Sequence, residues 1–227
     1  MTGPAPGGPL ALALDAATYA GTVAVVRGST VLAEREVAMR GEREERLMPA
    51  VAAALTEARV TVRELDAVVC GAGPGSFTSL RIAASIAKGI AAARRIPLHA
   101  RSSLVLLIAG AEPRLPDGVY VSALDAMRGE AFAATVTLAG GRIIDEGATR
   151  RLTERELASL SARAGARVAG PGRELDLHPH ARGVARDPVW LAGGGQVSLT
   201  DWEPDYGRLA EAQVKWEAAH GRPLRAR

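Results

Sequence analysis

The chain of 227 residues has one cysteine, Cys70. No internal disulfide can form, and a single thiol fits a reducing compartment. Lysine is nearly missing as well: Lys88 and Lys215 are the only two, and the other cations are scattered arginines. No basic run interleaves with aromatics, so composition gives no ground for an autonomous nucleic-acid groove. Net charge is only +3. No apolar run approaches the ~20 residues needed to span a bilayer. The opening MTGPAPGGP has neither a basic start nor an apolar core, so it does not read as a signal peptide. The expected location is the cytoplasm. Residues 1–9 and 220–227 read as flexible ends.

The stretch from Leu65 to Ala93, LDAVVCGAGPGSFTSLRIAASIAKGIAAA, carries the most information. Ala67-Val68-Val69-Cys70 is short, apolar and β-branched, as a buried strand is. A turn through Gly71, Gly73, Pro74 and Gly75 follows, with Ser76 and Thr78 placed to cap a helix. At ~100° per residue the helix over 79–93 shows two apolar stripes. One holds Leu80, Ala83, Ala84, Ala87, Ile90 and Ala91; the other holds Ile82, Ile86, Gly89 and Ala93. A sheet can cover one stripe, and something else must cover the second. The turn is not a known phosphate loop. Gly75 is followed by Ser76-Phe77 rather than Lys-Ser/Thr, and Ser76 stands where a dinucleotide fingerprint needs glycine.

The rest of the chain divides around this unit. Leu10–Asp15 reads as a buried strand ending in a carboxylate, 22–27 as a second strand, and Gly28-Ser29 as a hairpin turn into Thr30–Ala38. A helix over 42–59 places Leu47, Val51, Leu55 and Ala58 on one side. After the central unit come a strand at 96–100, a helix from Ser102 to about Gly110, and a proline-containing linker at 112–118. The opening pattern then recurs. A strand over 119–125 again ends in Leu-Asp, 131–138 is again a second strand, and Gly140-Gly141 again turns the chain, into Arg142–Glu146. Such a repeat implies two related lobes, at 10–111 and 119–219. Beyond them, 154–163 reads as helix, 166–169 as strand, and 170–195, with Gly193-Gly194-Gly195, as mostly loop. A final helix is expected to run to about Ala219.

Gly73-Pro74-Gly75-Ser76-Phe77-Thr78, then Leu80-Arg81-Ile82, resembles the GPGSFTGLRIG signature of the TsaB family, formerly YeaZ, with Ser79 in place of a glycine. Asp125-Ala126-Met127-Arg128-Gly129-Glu130-Ala131-Phe132 is similar to its DARRGEVY segment, and Glu203-Pro204-Asp205-Tyr206-Gly207-Arg208 to its closing EPxYxR. With Leu12-Ala13-Leu14-Asp15-Ala16-Ala17-Thr18 near the start, the resemblance runs from Leu10 to about Trp216. It implies an α/β fold of duplicated actin/hexokinase/Hsp70-like (RNase H-like) lobes, with mixed sheets flanked by helices. It further implies a noncatalytic, dimerising subunit of the bacterial complex that makes threonylcarbamoyladenosine in tRNA. The implied partners are a TsaD-like transferase, a TsaE-like ATPase, and tRNA through the complex. A homodimer in isolation stays open.

Asp15 and Asp125 end equivalent strands, where ATP-using relatives face phosphates and magnesium. Asp15 is followed by Ala16-Ala17 before Thr18, a turn poor in donors, so Asp15, Thr18 and Asp125 read as vestigial nucleotide-site positions. No cofactor and no metal are expected. The helix that carries two metal-binding histidines in TsaD has Arg43-Glu44-Glu45-Arg46-Leu47 here. His178-Pro179-His180 reads as a solvent loop, and Cys70 as a buried small residue rather than a nucleophile. An active kinase or ATPase of the same superfamily is the alternative function; peptidase activity has no supporting triad. A partner is expected on the helices over 42–59 and 79–93, through Leu47, Val51, Leu55, Leu80, Ile82, Ala83, Ile86, Ala87 and Ile90.

Overall fold

Short alternating or wholly apolar strands and two glycine hairpins build two mixed sheets. The structure is a computed structural model that describes residues 7–39 and 45–207. The first sheet contains β1 (Leu10–Asp15), β2 (Ala20–Arg27), β3 (Thr30–Ala38), β4 (Ala67–Gly71) and β5 (Leu98–Arg101), in the order β5-β4-β1-β2-β3. It is flanked by α1 (Leu47–Glu57) and α2 (Phe77–Arg94). The second follows α3 (Ser103–Ala109) and contains β6 (Gly118–Asp125), β7 (Glu130–Ala139), β8 (Arg142–Glu146), β9 (Arg150–Thr153), β10 (Arg167–Gly170) and β11 (Leu175–Asp176), with α4 (Glu154–Ala164) between β9 and β10. Its order is β11-β10-β6-β7-β8, with β9 also on β7. Each sheet has the same centre. β1 lies antiparallel to β2 and parallel to β4, and β6 lies antiparallel to β7 and parallel to β10. The repeated strand, carboxylate and hairpin pattern is therefore a repeated topology.

Both faces of the first sheet are covered, which is why β1 is buried along its whole length. Leu10, Leu12, Leu14, Val23 and Val25 meet α1 and α2 on one face. Ala11, Ala13, Ala24 and Val26 meet Leu106, Val184 and Trp190 on the other. In the second sheet Val121, Ala123, Ala131 and Ala133 meet Leu157 of α4. That helix starts at a capping box: Thr153 Oγ1 accepts from the Glu156 N–H, and the Glu156 carboxylate accepts from the Thr153 N–H at 2.8 Å. All seven residues of α3 are buried. Leu106 reaches the first sheet, while Leu104, Val105, Leu107 and Ile108 pack with Leu124, Ala134 and Val136 of the second. A helix apolar all round is buried all round, and α3 is the layer shared by the two sheets.

The stretch 170–195 departs from its reading as loop. His180 is buried, and Ala181–Arg186 forms a 3-10 helix on the back of the first sheet. After α5 (Pro188–Leu191), β12 (Gln196–Val197) pairs antiparallel with β5. The sequence-drawn second lobe, 119–219, therefore needs correction: residues 181–197 belong to the first sheet's packing. The reason is chemical. Thr22 Oγ1 accepts the Ala181 N–H at 3.0 Å, and Trp190 closes over alanines too small to cover themselves. The glycine triplet is likewise no free linker, because the Gly194 carbonyl lies 2.8 Å from His99 Nδ1 and the Gly195 carbonyl accepts from Ala100 N–H. The expected start of the first-lobe helix at 42–44, including Arg43, and the final helix beyond 207 lie outside the described residues. Among the described residues no helix is long and apolar enough to cross a membrane.

Candidate functional site

β4 delivers the glycine loop to the C-terminal edge of the first sheet, beside the end of β1. A Cβ at Gly71 would collide with the Asp15 carboxylate, and one at Gly75 with the Ala17 carbonyl. No other residue permits that approach. Asp15 itself is 0% exposed. Its Oδ1 accepts the Ala17 N–H at 2.9 Å and its Oδ2 accepts the Ser103 hydroxyl at 2.5 Å. Ser103 Oγ in turn accepts the Gly73 N–H at 3.1 Å. Burial lifts the Asp15 pKa from 3.8 to about 6, against the lowering effect of the Ala17 and Ser103 bonds. The carboxylate is thus committed inward, tying β1, the loop and the start of α3 together.

The turn after Asp15 is closed by the protein. The Ser76 N–H, which a phosphate loop would offer to an anion, donates to the Ala17 carbonyl at 2.7 Å. Ser76 occupies the N-terminal cap position of α2 without a side-chain cap bond; its hydroxyl lies 3.1 Å from that of Ser79. Thr78, expected as a second cap, stands inside the helix, which begins two residues earlier than the 79–93 reading. Thr18 Oγ1 accepts from the Ala20 N–H in its own turn. Asp125 repeats the local geometry of Asp15, its Oδ1 accepting the Met127 N–H at 2.7 Å, but it is exposed. Thr18 and Asp125 line a cleft of about 1270 Å³ between the sheets, together with Gly75, Ser76, Phe77, Phe132 and Tyr206. Asp15 does not line it.

The helix pair presents a second surface. The α2 stripe of Leu80, Ala83, Ala84, Ala87, Ile90 and Ala91 is buried against the sheet. Ile82 and Ile86 are half-buried on the outer stripe, and Gly89 and Ala93 are exposed. Of the nine residues expected to meet a partner, Leu47, Val51, Leu55, Leu80, Ala83, Ala87 and Ile90 pack in the chain's own core. This corrects the residue set, because the i, i+3, i+4 positions that make a helix amphipathic are those its own sheet claims first. On the outer side Met48 and Ala52 of α1 are exposed. A groove of about 500 Å³ runs past Glu45, Phe77, Thr78, Arg81, Ile82, Ser85 and Ile86.

Comparison with known proteins gives the family. A family model described as TsaD, tRNA N6-adenosine threonylcarbamoyltransferase, matches residues 36–168, more than half of the chain. A Bacillus subtilis protein named tRNA threonylcarbamoyladenosine biosynthesis protein TsaB is 29% identical over 223 residues, spanning 90% of this chain and 96% of its own. The Escherichia coli protein of that name is 36% identical over 123 residues, 54% of this chain and 53% of its own. The solved structure of YeaZ from Pseudomonas aeruginosa superposes with a TM-score of 0.72 at 28% identity, covering 86% of this chain and 98% of that one. The chain belongs to the TsaB (YeaZ) family.

With the TsaB assignment in place, the separate motifs can be seen to meet. The closing EPxYxR-type segment returns to the GPGSFT-type loop: Asp205 N–H donates to the Ala72 carbonyl at 2.7 Å, and the Tyr206 ring lies 4.6 Å from that of Phe77. Arg81, also a motif residue, places its guanidinium 5.2 Å from the Phe77 ring centre. Nothing in the local sequence pattern joins these residues, and only their shared membership of TsaB motifs hints at contact. That pattern does not reveal Ser103 as the partner of Asp15. Nor does it reveal that buried Arg101 pairs with buried Asp187 and, at 2.9 Å, with exposed Glu146 of β8. Arg101 looks like one more scattered arginine in sequence, and its partners lie 86 and 45 residues away. His180 caps the 3-10 helix through Nδ1, and burial lowers its pKa to about 3. His178 is exposed at the cleft, so the two histidines do not converge. Cys70 is fully buried, which pushes its thiol pKa well above the ordinary range. Among the described residues no cluster of three metal-ligating side chains occurs.

Proposed function

We propose that this chain is a scaffold and activating subunit for tRNA N6-threonylcarbamoyladenosine formation, and that it holds a TsaD-like transferase against the outer face of α1 and α2. The observation that carries the reading is the second stripe of α2. Ile82 and Ile86, half-buried against the edge of the chain's own core, continue into exposed Gly89 and Ala93 as an apolar strip that the chain covers only in part. Gly89 has no atom within 4 Å of where a Cβ would stand, so a partner helix can approach the backbone there. A specific interface needs about 800 Å² per partner. Two helices of 11 and 18 residues, roughly 16 and 27 Å long, offer most of it. The inward commitment of Asp15 and the closed Ser76–Ala17 turn support a supporting rather than a phosphate-handling role for this subunit. The lobes are proposed as two related units, with 181–197 returning to the first. A TsaE-like ATPase and tRNA would join through the assembled complex, and a homodimer through the same face would form when the transferase is lacking. Co-expression with the TsaD-like protein of the same cell tests this: the pair should co-purify, and elution of the two as separate monomers would end the proposal.

A further inference from the structure

Arg101 ends β5, one residue before the cap of α3, and lies between two unequally buried carboxylates. Asp187 packs with the first sheet. It is fully buried, accepts from Arg101 Nε, and is fixed further by the Val189 N–H at 3.1 Å. Glu146 comes from the second sheet. Its side chain is 41% exposed, and its carboxylate accepts from Arg101 Nη2 at 2.9 Å and from Nη1 at 3.4 Å. Such a two-point fork is directional. A bulge in β8 aims Glu146 there. Glu146 stands opposite Val136 and Asp145 opposite Thr137, but Ile143 stands opposite Leu138, so exposed Ile144 is an extra residue. Ile143, Leu138 and Val136 all pack in the apolar layer around α3. Along an unbroken strand the sides alternate, and Glu146 would point away from the side that Ile143 faces. The bulge turns it back toward the first lobe.

The fork lies toward one edge of the first sheet and the cleft toward the other: β5 carries Arg101, whereas Glu36, Val37 and Ala38 of β3 line the cleft. Between them the sheets meet on α3 through apolar side chains, a contact without direction. The two chain crossings between the lobes touch at one place. A Cβ at Gly110 would meet the His180 carbonyl, and one at Gly183 the Gly110 nitrogen. We propose that Arg101 and Glu146 form a releasable latch between the lobes, and that its release lets the second sheet rock on α3 about the Gly110–Gly183 crossing and so changes the width of the cleft. Asp187 stays bonded to Arg101 throughout, so release leaves no buried cation without a partner. The latch does not depend on which partner the outer helices bind.

The test is double electron–electron resonance on the full chain, with nitroxides at Ala92→Cys on α2 and Ala158→Cys on α4, both exposed positions. Buried Cys70 takes no label, and dilution with unlabelled chain confines the distances to one molecule. An ion pair this exposed biases two arrangements by roughly two- to fivefold. Glu146→Gln should raise the population of a second inter-lobe distance by that factor. Raising salt from about 0.05 to about 1 M should do the same to the chain with Glu146 in place, and should add nothing in Glu146→Gln. The salt arm needs no change at Glu146, so it stands whatever that variant's stability. One unchanged distance in Glu146→Gln overturns the latch. So does a shift in the variant that salt fails to reproduce in the parent, which would trace it to local packing rather than to the ion pair.

Discussion

Asp15→Asn should change how stability depends on pH in a calculable way. The wild-type carboxyl is fully buried with a folded pKa of about 6 against 3.8 when exposed. A folded-state pKa raised above the unfolded one means that, between these values, the folded chain holds a proton the unfolded chain has released. Stability from this group is therefore greatest below about pH 4 and falls as pH rises to about 6, then stays flat. Roughly two units at about 1.4 kcal/mol each give a loss of about 3 kcal/mol. Asparagine can keep the geometry, its carbonyl accepting from Ala17 N–H and its amide donating to Ser103 Oγ, without the buried charge. The variant should thus melt higher than wild type at pH 8, by up to about 6–12 °C at ~2–4 °C per kcal/mol for a chain of this size. The gap should close by pH 4. Wild type alone would not show this cleanly, because His180 acts oppositely: its folded pKa of about 3 withdraws stability as pH falls below about 6.5. Thermal melts of both proteins from pH 4 to 8, read as a difference, isolate Asp15. A difference that is flat across that range, or one that grows toward acid, refutes the reasoning.

Three further outcomes follow from burial. Ala87→Arg forces an unpaired charge into the core and should abolish the folded state or cost at least ~3 kcal/mol, whereas Ile86→Arg on the outer stripe should shift denaturation by less than about 1 kcal/mol. Arg101→Ala strands the fully buried Asp187 carboxylate and should destabilise by about 3–5 kcal/mol in urea titrations, more than any loss from Arg35→Ala, whose pair with Glu57 is exposed. Cys70 should be silent to a thiol reagent at pH 8 in the native chain and react in full once denaturant unfolds it.

Local pattern carried the sequence reading a long way. Leu10–Asp15 and its echo ending at Asp125 were legible because a strand, a carboxylate and a glycine hairpin are all short-range signals. The two stripes of α2 were legible for the same reason, but periodicity cannot say which stripe a sheet will take. Leu80, Ala83 and Ala87 are fully buried, whereas Ile82 and Ile86 lie half-buried at the edge of the core. Long-range chemistry was not legible. Ser103 reads as a helix opener, yet it is the hydroxyl that holds Asp15 across 88 residues. The stretch after Gly170 looked like loop because its glycines, prolines and histidines lack any period. It is ordered by tertiary contacts instead, through Thr22 to Ala181, His99 to Gly194, and Trp190 over the alanines of β1 and β2.

The central claim is that the outer α2 stripe holds the transferase subunit, and Ile86→Arg tests it most directly. The variant and the wild type should be titrated with the TsaD-like protein of the same cell, with their melts recorded alongside. A residue near the centre of such an interface contributes at least ~2 kcal/mol. The account predicts that Ile86→Arg melts like wild type and binds at least ~30-fold more weakly. A variant that melts like wild type and binds the transferase with unchanged affinity would contradict it.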